Sequence, residues 1–484
     1  MEHFIKIHSH KKKFILSLIS AILYQMGSTI VTTLGSFCVY FISYIHYENP
    51  NTKINMQYGN INGPIILLLL SSFSPLSGII EKKFGPKLTL ILSSLLVEIC
   101  LISYYFQKNL WIFYTISIFI GVSSGLSAGV PIKNACKYYP KKKGVINSVI
   151  ICLGGLISSL YSFIGEKLIN PNKSQIIDKE TNPFYPQEVA NNANKFFLFA
   201  CIAFPSINII SIFLFYKFIP NKEKNNISLL EKNLKENKTN TKEIMSSYRF
   251  WRNILIIGLM PFWANFLNST YRAYSPMIGV EKNLVSYLSV IINGLSSLTG
   301  LIWAFIFDKF GFQIIIKIMS GICIILSVYF IIFIDDKKLY FVGLLINTTI
   351  SRVGMMSVIN PHIMQVFEFR NYLIIGGFTR LFGQLCAFLA ALTSVLISLK
   401  FKTGIELKLP YRIVAGIGWA FSCVGFVLSF QENDDKFLFK NEVGDNENNL
   451  GVNNIKESTD DENKKKRIKI NSKIMMQIYY YLYN

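Results

Sequence analysis

Between Lys87 and Lys108 the chain runs for twenty residues with a single charged side chain, Glu98. Wound as a helix at about 1.5 Å per residue, such a stretch crosses the roughly 30 Å of a bilayer's hydrocarbon core. The pattern recurs along most of the sequence, with charges gathered in short runs and apolar stretches filling the intervals. Lipid offers the backbone no hydrogen-bond partners, so these stretches must satisfy their own groups as helices. Only 16% of the 484 residues are charged, against about 25% in soluble domains. A soluble multidomain protein is excluded, and an all-α polytopic membrane protein is expected. The net charge of +21 would suggest nucleic acid in a soluble chain. Here it belongs to loops and tail, and no nucleic-acid partner is expected.

Hydropathy places about twelve spans, at 14–45, 60–81, 86–106, 109–137, 144–168, 195–219, 250–276, 284–307, 312–334, 339–366, 372–399 and 411–431. The first is too long to stand upright, which predicts tilt or extension beyond the bilayer. Residues 1–13 then form a short N-terminus, 14–219 and 249–431 two six-helix bundles, 220–248 a linker and 432–484 a tail. Linker and tail are rich in Lys, Glu and Asn and cannot build a packed core. The tail's run Lys464-Lys465-Lys466-Arg467 is a solvated segment or a contact for anionic lipid headgroups. Lys11 to Lys13, Lys82, Lys83, Lys87 and Lys141 to Lys143 share one side with linker and tail. That bias puts both termini in the cytosol. No leader is visible before the first span, which favours the plasma membrane over an organelle. The eight cysteines stand singly among apolar residues. No metal-ligand spacing, phosphate loop or catalytic triad is present, so neither a metal, a cofactor nor an enzyme is expected.

The two halves echo each other. Residues 78–87 read G-I-I-E-K-K-F-G-P-K and residues 304–313 read A-F-I-F-D-K-F-G-F-Q, each between the second and third span of its half. Here the sequence resembles a major facilitator superfamily transporter, whose loop signature is G-x-x-x-D-R-x-G-R-R. Gly78, Lys83, Gly85 and Lys87 match the first copy; Asp308, Lys309 and Gly311 match the second. Lys82 stands where the acid is expected and Glu81 one position early, which implies an altered loop ion pair. Glycine permits the tight turn, while the charges cap helix ends and bias inward-open against outward-open packing.

Within the superfamily the chain is similar to the oxalate/formate antiporter and monocarboxylate porter branch. The similarity rests on Gly35-Ser36, Tyr40 and Ser43-Tyr44, on K-F-G-P-K (83–87), on G-V-S-S-G-L-S-A-G-V-P (121–131) and on K-Y-Y-P-K-K-K-G (137–144). It implies alternating access and a small organic anion as substrate. Gly121, Gly125 and Gly129 recur at four-residue intervals as a small-residue stripe, suited to close helix packing or to a surface that slides during rocking.

Charges inside spans are expensive unless they face a cavity or a partner. Arg352 lies about 20 Å into the tenth span and Arg380 about 12 Å into the eleventh. The branch has a carboxylate-binding cation in helix eleven, and G-G-F-T-R-L-F-G (376–383) resembles its surroundings, so the resemblance assigns that role to Arg380. The branch's second cation lies in helix eight, but 284–307 holds no Lys or Arg. Either Arg352 substitutes for it or the substrate class differs; otherwise either arginine satisfies carbonyls or an acid. Glu98 lies about 18 Å into the third span, as a packed structural acid or a proton-coupling carboxylate. Lys133 is expected to snorkel and His362 to be interfacial. Tyr24, Gln25, Asn265, Asn268, Asn347, Asn360 and Gln384 orient a polar solute or bond between helices. The expected function is carriage of a small organic anion, a monocarboxylate or dicarboxylate, with a proton or counter-anion. The alternatives are a carrier of amino acids or other neutral or zwitterionic solutes, in which Glu98 pairs an ammonium, and a non-transporting sensor or scaffold.

Overall fold

The computed structural model describes residues 2–50, 54, 58–172, 174, 184–217, 241–267, 282–347, 349–350, 354–400 and 404–430. Among these there is no strand. The first half comprises α1 (Glu2–Glu48), α2 (Gly59–Phe84), α3 (Pro86–Phe106), α4 (Leu110–Gly125), α5 (Val130–Cys136), α6 (Lys143–Ile169) and α7 (Gln187–Leu214). The second comprises α8 (Thr241–Ser246), α9 (Tyr248–Leu259), α10 (Lys282–Phe310), α11 (Phe312–Phe333), α12 (Lys337–Asn347), α13 (Met355–Val366), α14 (Glu368–Lys400) and α15 (Gly404–Ser429).

Ten helices among the described residues are long and apolar enough to cross a membrane. They correspond to the expected spans except the eighth, which is α10, and the tenth, whose described residues include α12 and α13. The first helix has 47 residues, about 70 Å, and so extends well beyond a bilayer core as expected. One span read as continuous is interrupted. The fourth breaks between α4 and α5, where Gly129 has φ +82°. The tenth turns π-helical at 349–350 and Gly354, a widening that hydropathy does not register.

Helix ends follow local chemistry. The Asn109 side chain accepts the Trp111 N–H at 2.8 Å, capping α4, and the Ser247 hydroxyl accepts from Phe250 to cap α9. The repeated turns are alike: Gly85 (φ +84°, ψ +161°) separates α2 from α3, and Gly311 (φ +79°, ψ +172°) separates α10 from α11. That backbone region is essentially confined to glycine. Two glycines of the loop signature thus make the same turn in both halves.

Leu95, Ile99, Ile202 and Ile302 are each more than half exposed, as lipid-facing side chains should be. Exposed aromatics mark both rims, with Phe106 and Trp111 at one and Tyr216, Tyr248 and Trp251 at the other. The latter rim is termed the linker side. There Asn134, at the end of α5, donates to Ser17 Oγ of α1 and to the Tyr216 carbonyl beyond α7.

The buried apolar residues show how the halves meet. One cluster joins Ile132, Ile146 and Ile150 of the first half to Ile254, Phe307, Ile359 and Tyr372 of the second, towards the linker side. Towards the other side the clusters are separate. Phe41, Leu101, Phe113 and Phe197 pack within the first half, and Trp263, Phe266, Phe330 and Tyr411 within the second. The bundles share a core on the linker side and keep their own on the other, so the boundary between them is sealed at the linker side.

Candidate functional site at the bundle boundary

The break in the fourth span is held by hydroxyls. Ser93 Oγ lies 2.8 Å from Ser127 Oγ and donates to the Ser123 carbonyl at 2.6 Å, while Ser77 Oγ reaches the Ala128 carbonyl at 3.4 Å. These side chains add donors to carbonyls at the interruption, that of Ser123 also accepting the Leu126 N–H at 3.3 Å. The buried Tyr24 lies beside Ser93, Ser94 and Ser127.

Arg380, on α14, lies against this break. Its Nη2 donates to the Tyr372 hydroxyl at 3.1 Å, and its Cζ is 5.7 Å from the Tyr372 ring centroid. A Cβ added to Gly129 would come within 3.1 Å of Nη2. The Nε atom is buried with no hydrogen-bond partner. The apolar span in α14 begins at Asn371, so Arg380 lies about 14 Å into it, close to the expected depth. A guanidinium so held offers an N–H edge of the shape that accepts a carboxylate.

Between Arg380 and the linker side the bundles close tightly. A Cβ on Gly377 would come within 2.5 Å of the Pro75 backbone, and one on Gly78 within 2.9 Å of Ile374. Asn147 donates to the Ser357 carbonyl at 3.2 Å and faces the Asn360 amide at 3.4 Å. Nearest the rim, the Asp308 carboxylate accepts the Gly144 and Val145 N–H groups at 3.2 and 3.0 Å. These are free donors at the start of α6, where negative charge is favoured.

The two signature copies therefore do different things. Asp308 reaches across to the other half. Glu81 stays within its own, paired at 2.5 Å with Lys133 of α5, the side chains being 6% and 12% exposed for lysine and glutamate. This is the altered ion pair, and it corrects the expectation that Lys133 snorkels: a partner arriving from α2 allows the ammonium to stay buried. Lys83 and Lys309 are exposed and lie over the rings of Phe84 and Phe310; Lys87 is exposed.

Other expectations change as well. Gly121 and Gly125 face the α2 backbone at Ile66 and Leu70, but Gly129 ends the stripe by leaving helical geometry and facing Arg380 instead. His362 is buried, with its ring stacked at 3.6 Å on Phe312, the first residue of α11. Arg252, three residues into the seventh expected span, is also buried. Lys133 and Arg252 are thus more enclosed than Arg380, although each lies near the end of its span. Arg352 and Asn268 lie outside the described residues. Gln25 packs under Gly154, Asn347 is buried, and Asn265 and Gln384 are half-buried.

Glu98 is not brought to Arg380. It is half-buried on α3, with Cys201 of α7 nearby and a buried Oε2 that has no hydrogen-bond partner. The lipid-facing Leu95 and Ile99 flank it.

Comparison with known proteins gives this arrangement its family. The Major Facilitator Superfamily model matches residues 14–391. The human organic anion transporter MFSD10 (TETRAN) is structurally similar, with a TM-score of 0.58 at 12% identity, covering 86% of this chain and 99% of that one. A point mutant of the nucleoside transporter NupG has a TM-score of 0.54 at 12% identity, covering 86% and 100%. No match is found among the curated proteins. At these identities the two structures speak for the fold. An all-helical architecture, paired signature turns and a family model spanning most of the sequence agree: this multi-pass membrane transporter belongs to the Major Facilitator Superfamily.

Proposed function

We propose that the chain is a secondary carrier of small organic anions, monocarboxylates or dicarboxylates, working by alternating access like the oxalate/formate and monocarboxylate porters it resembles. Arg380 carries this reading. It is a cation inside a span, at the boundary between bundles, with a buried Nε–H and no carboxylate partner among the described residues. A charge there is costly unless a cavity or ligand compensates it, and a carboxylate matches its donors. Arg352 is retained as the second cation. Glu98 is proposed for proton coupling, because its buried oxygen is unpartnered. Its place on the α3–α7 seam argues against pairing with a substrate ammonium, which ranks the zwitterion reading second.

The test is counterflow of labelled lactate and oxalate in proteoliposomes, with an amino-acid mixture and uridine as competitors. Arg380→Ala and Arg352→Ala are expected to lose carboxylate flux. Unchanged flux in both would remove the site assignment, and competition by amino acids or uridine alone would replace the substrate class.

A further inference from the structure

The surroundings of Arg380 come from both bundles. Tyr372, two turns earlier on α14, is fully buried and accepts a hydrogen bond from Nη2 with its ring close to the guanidinium. Gly129, from the other half, faces the same pair: a Cβ there would lie 3.1 Å from Nη2, 3.2 Å from Leu373 Cδ2 and 3.4 Å from Tyr372 Cε1. Nη2 is held on one side by a phenol and on the other by a backbone with no side chain. Nε is left buried and unpartnered.

We propose that Tyr372 and Gly129 are the positioning residues of the anion site, and that this site is complete only while the linker side is sealed. The inference rests on Arg380 taking the substrate carboxylate. The phenol takes up one N–H of Nη2 and fixes the guanidinium plane, so the Nε edge faces the acceptor without a search through rotamers. Gly129 supplies the other wall, and φ +82° at the helix break turns that wall towards Arg380. Parting the bundles at the linker side removes Gly129 from Nη2 and leaves the guanidinium held by the phenol alone. An anion held by the ordered guanidinium therefore binds the sealed state more tightly, which couples occupancy to closure through a difference in affinity. The broken fourth span is thus part of the binding site, and glycine at 129 meets both the conformation and the space.

Counterflow of labelled lactate and oxalate is measured with wild type, Tyr372→Phe and Gly129→Ala, alongside thermal unfolding in detergent. Tyr372→Phe removes only the hydroxyl. It is expected to raise KM about tenfold, the usual worth of a hydrogen bond to a charged group, with Vmax and unfolding temperature retained. Gly129→Ala is expected to raise KM as well. Unchanged KM in Tyr372→Phe, or a lower Vmax at constant KM, would overturn the positioning role. Unchanged KM in a folded Gly129→Ala carrier would overturn the two-bundle site. Should Gly129→Ala fail to fold, maleimide labelling of a lone Cys136, buried at the shared boundary, decides the two-bundle part: saturating oxalate is expected to slow it, and unchanged labelling would overturn it. Absence of flux in the wild type would instead contradict the anion reading itself.

Discussion

The Asp308 carboxylate, in the second half of the chain, accepts the Gly144 N–H of the first half at 3.2 Å. The two bundles are pinned here at the linker rim by a helix start and the acid of a loop signature. The contact is solvent-exposed on the Asp308 side, so its worth is that of an exposed charge at a helix N-terminus, about 0.3–1 kcal/mol. Asp308→Ala should shift the carrier towards linker-side opening by that amount. Gly144→Ala should act likewise, since its Cβ would press on the carboxylate. Cys136, buried at the sealed boundary, reports the change when it is the only cysteine retained. Its labelling by a maleimide from the linker side should rise in both variants; equal labelling would show that the cap does not hold the closure.

The Lys133–Glu81 pair makes a different prediction. Both side chains are largely buried, so removing one partner strands a charge, at about 3–5 kcal/mol. Lys133→Met and Glu81→Gln should each lower the thermal unfolding temperature in detergent. The double variant should recover much of the loss, because neither charge then remains unpaired. Additive losses would show that the two do not interact.

Gly85 and Gly311 offer a test of the repeat. No atom lies within 4 Å of a Cβ added at Gly85, so Gly85→Ala is penalised by backbone conformation alone, about 1–3 kcal/mol. Gly311 shares its dihedral region and should lose a similar amount. Chemical denaturation of each variant measures this; a loss near zero at both positions would contradict the turn geometry.

Glu98→Gln tests coupling apart from binding. With Glu98 remote from Arg380, the variant should retain lactate counterflow while losing accumulation driven by a proton gradient. Undiminished gradient-driven uptake would reduce Glu98 to a packing role.

Much of this architecture is legible in the sequence, because a run such as 88–107 has only one way to satisfy its backbone in lipid. The paired turns are legible too, since Gly85 and Gly311 fall at equal places in equal halves. Less could be read of the site. Counting residues gives the depth of a charge but not the direction it faces. Depth alone could not show that Lys133 meets Glu81, that Glu98 faces α7, or that Arg252 is enclosed. Gly129 fits a small-residue stripe as well as a break, and the local sign of the break is Pro131 in the first turn of α5. The serines at 93 and 127 that hold the break come from different helices. Tyr372 is masked for a simpler reason: an aromatic at the start of a span reads as an interfacial anchor. Its eight-residue spacing from Arg380, two helical turns, was the available signal.

The central claim is that Arg380 receives the substrate carboxylate, and one comparison tests it most directly. Counterflow of labelled oxalate and lactate is measured for the wild type, Arg380→Ala and Arg380→Lys at equal, folded reconstitution. Flux is expected in the wild type, none measurable in Arg380→Ala, and a KM raised about tenfold in Arg380→Lys, which keeps the charge but loses the planar pair of donors. Carboxylate flux in Arg380→Ala equal to that of the wild type would contradict it.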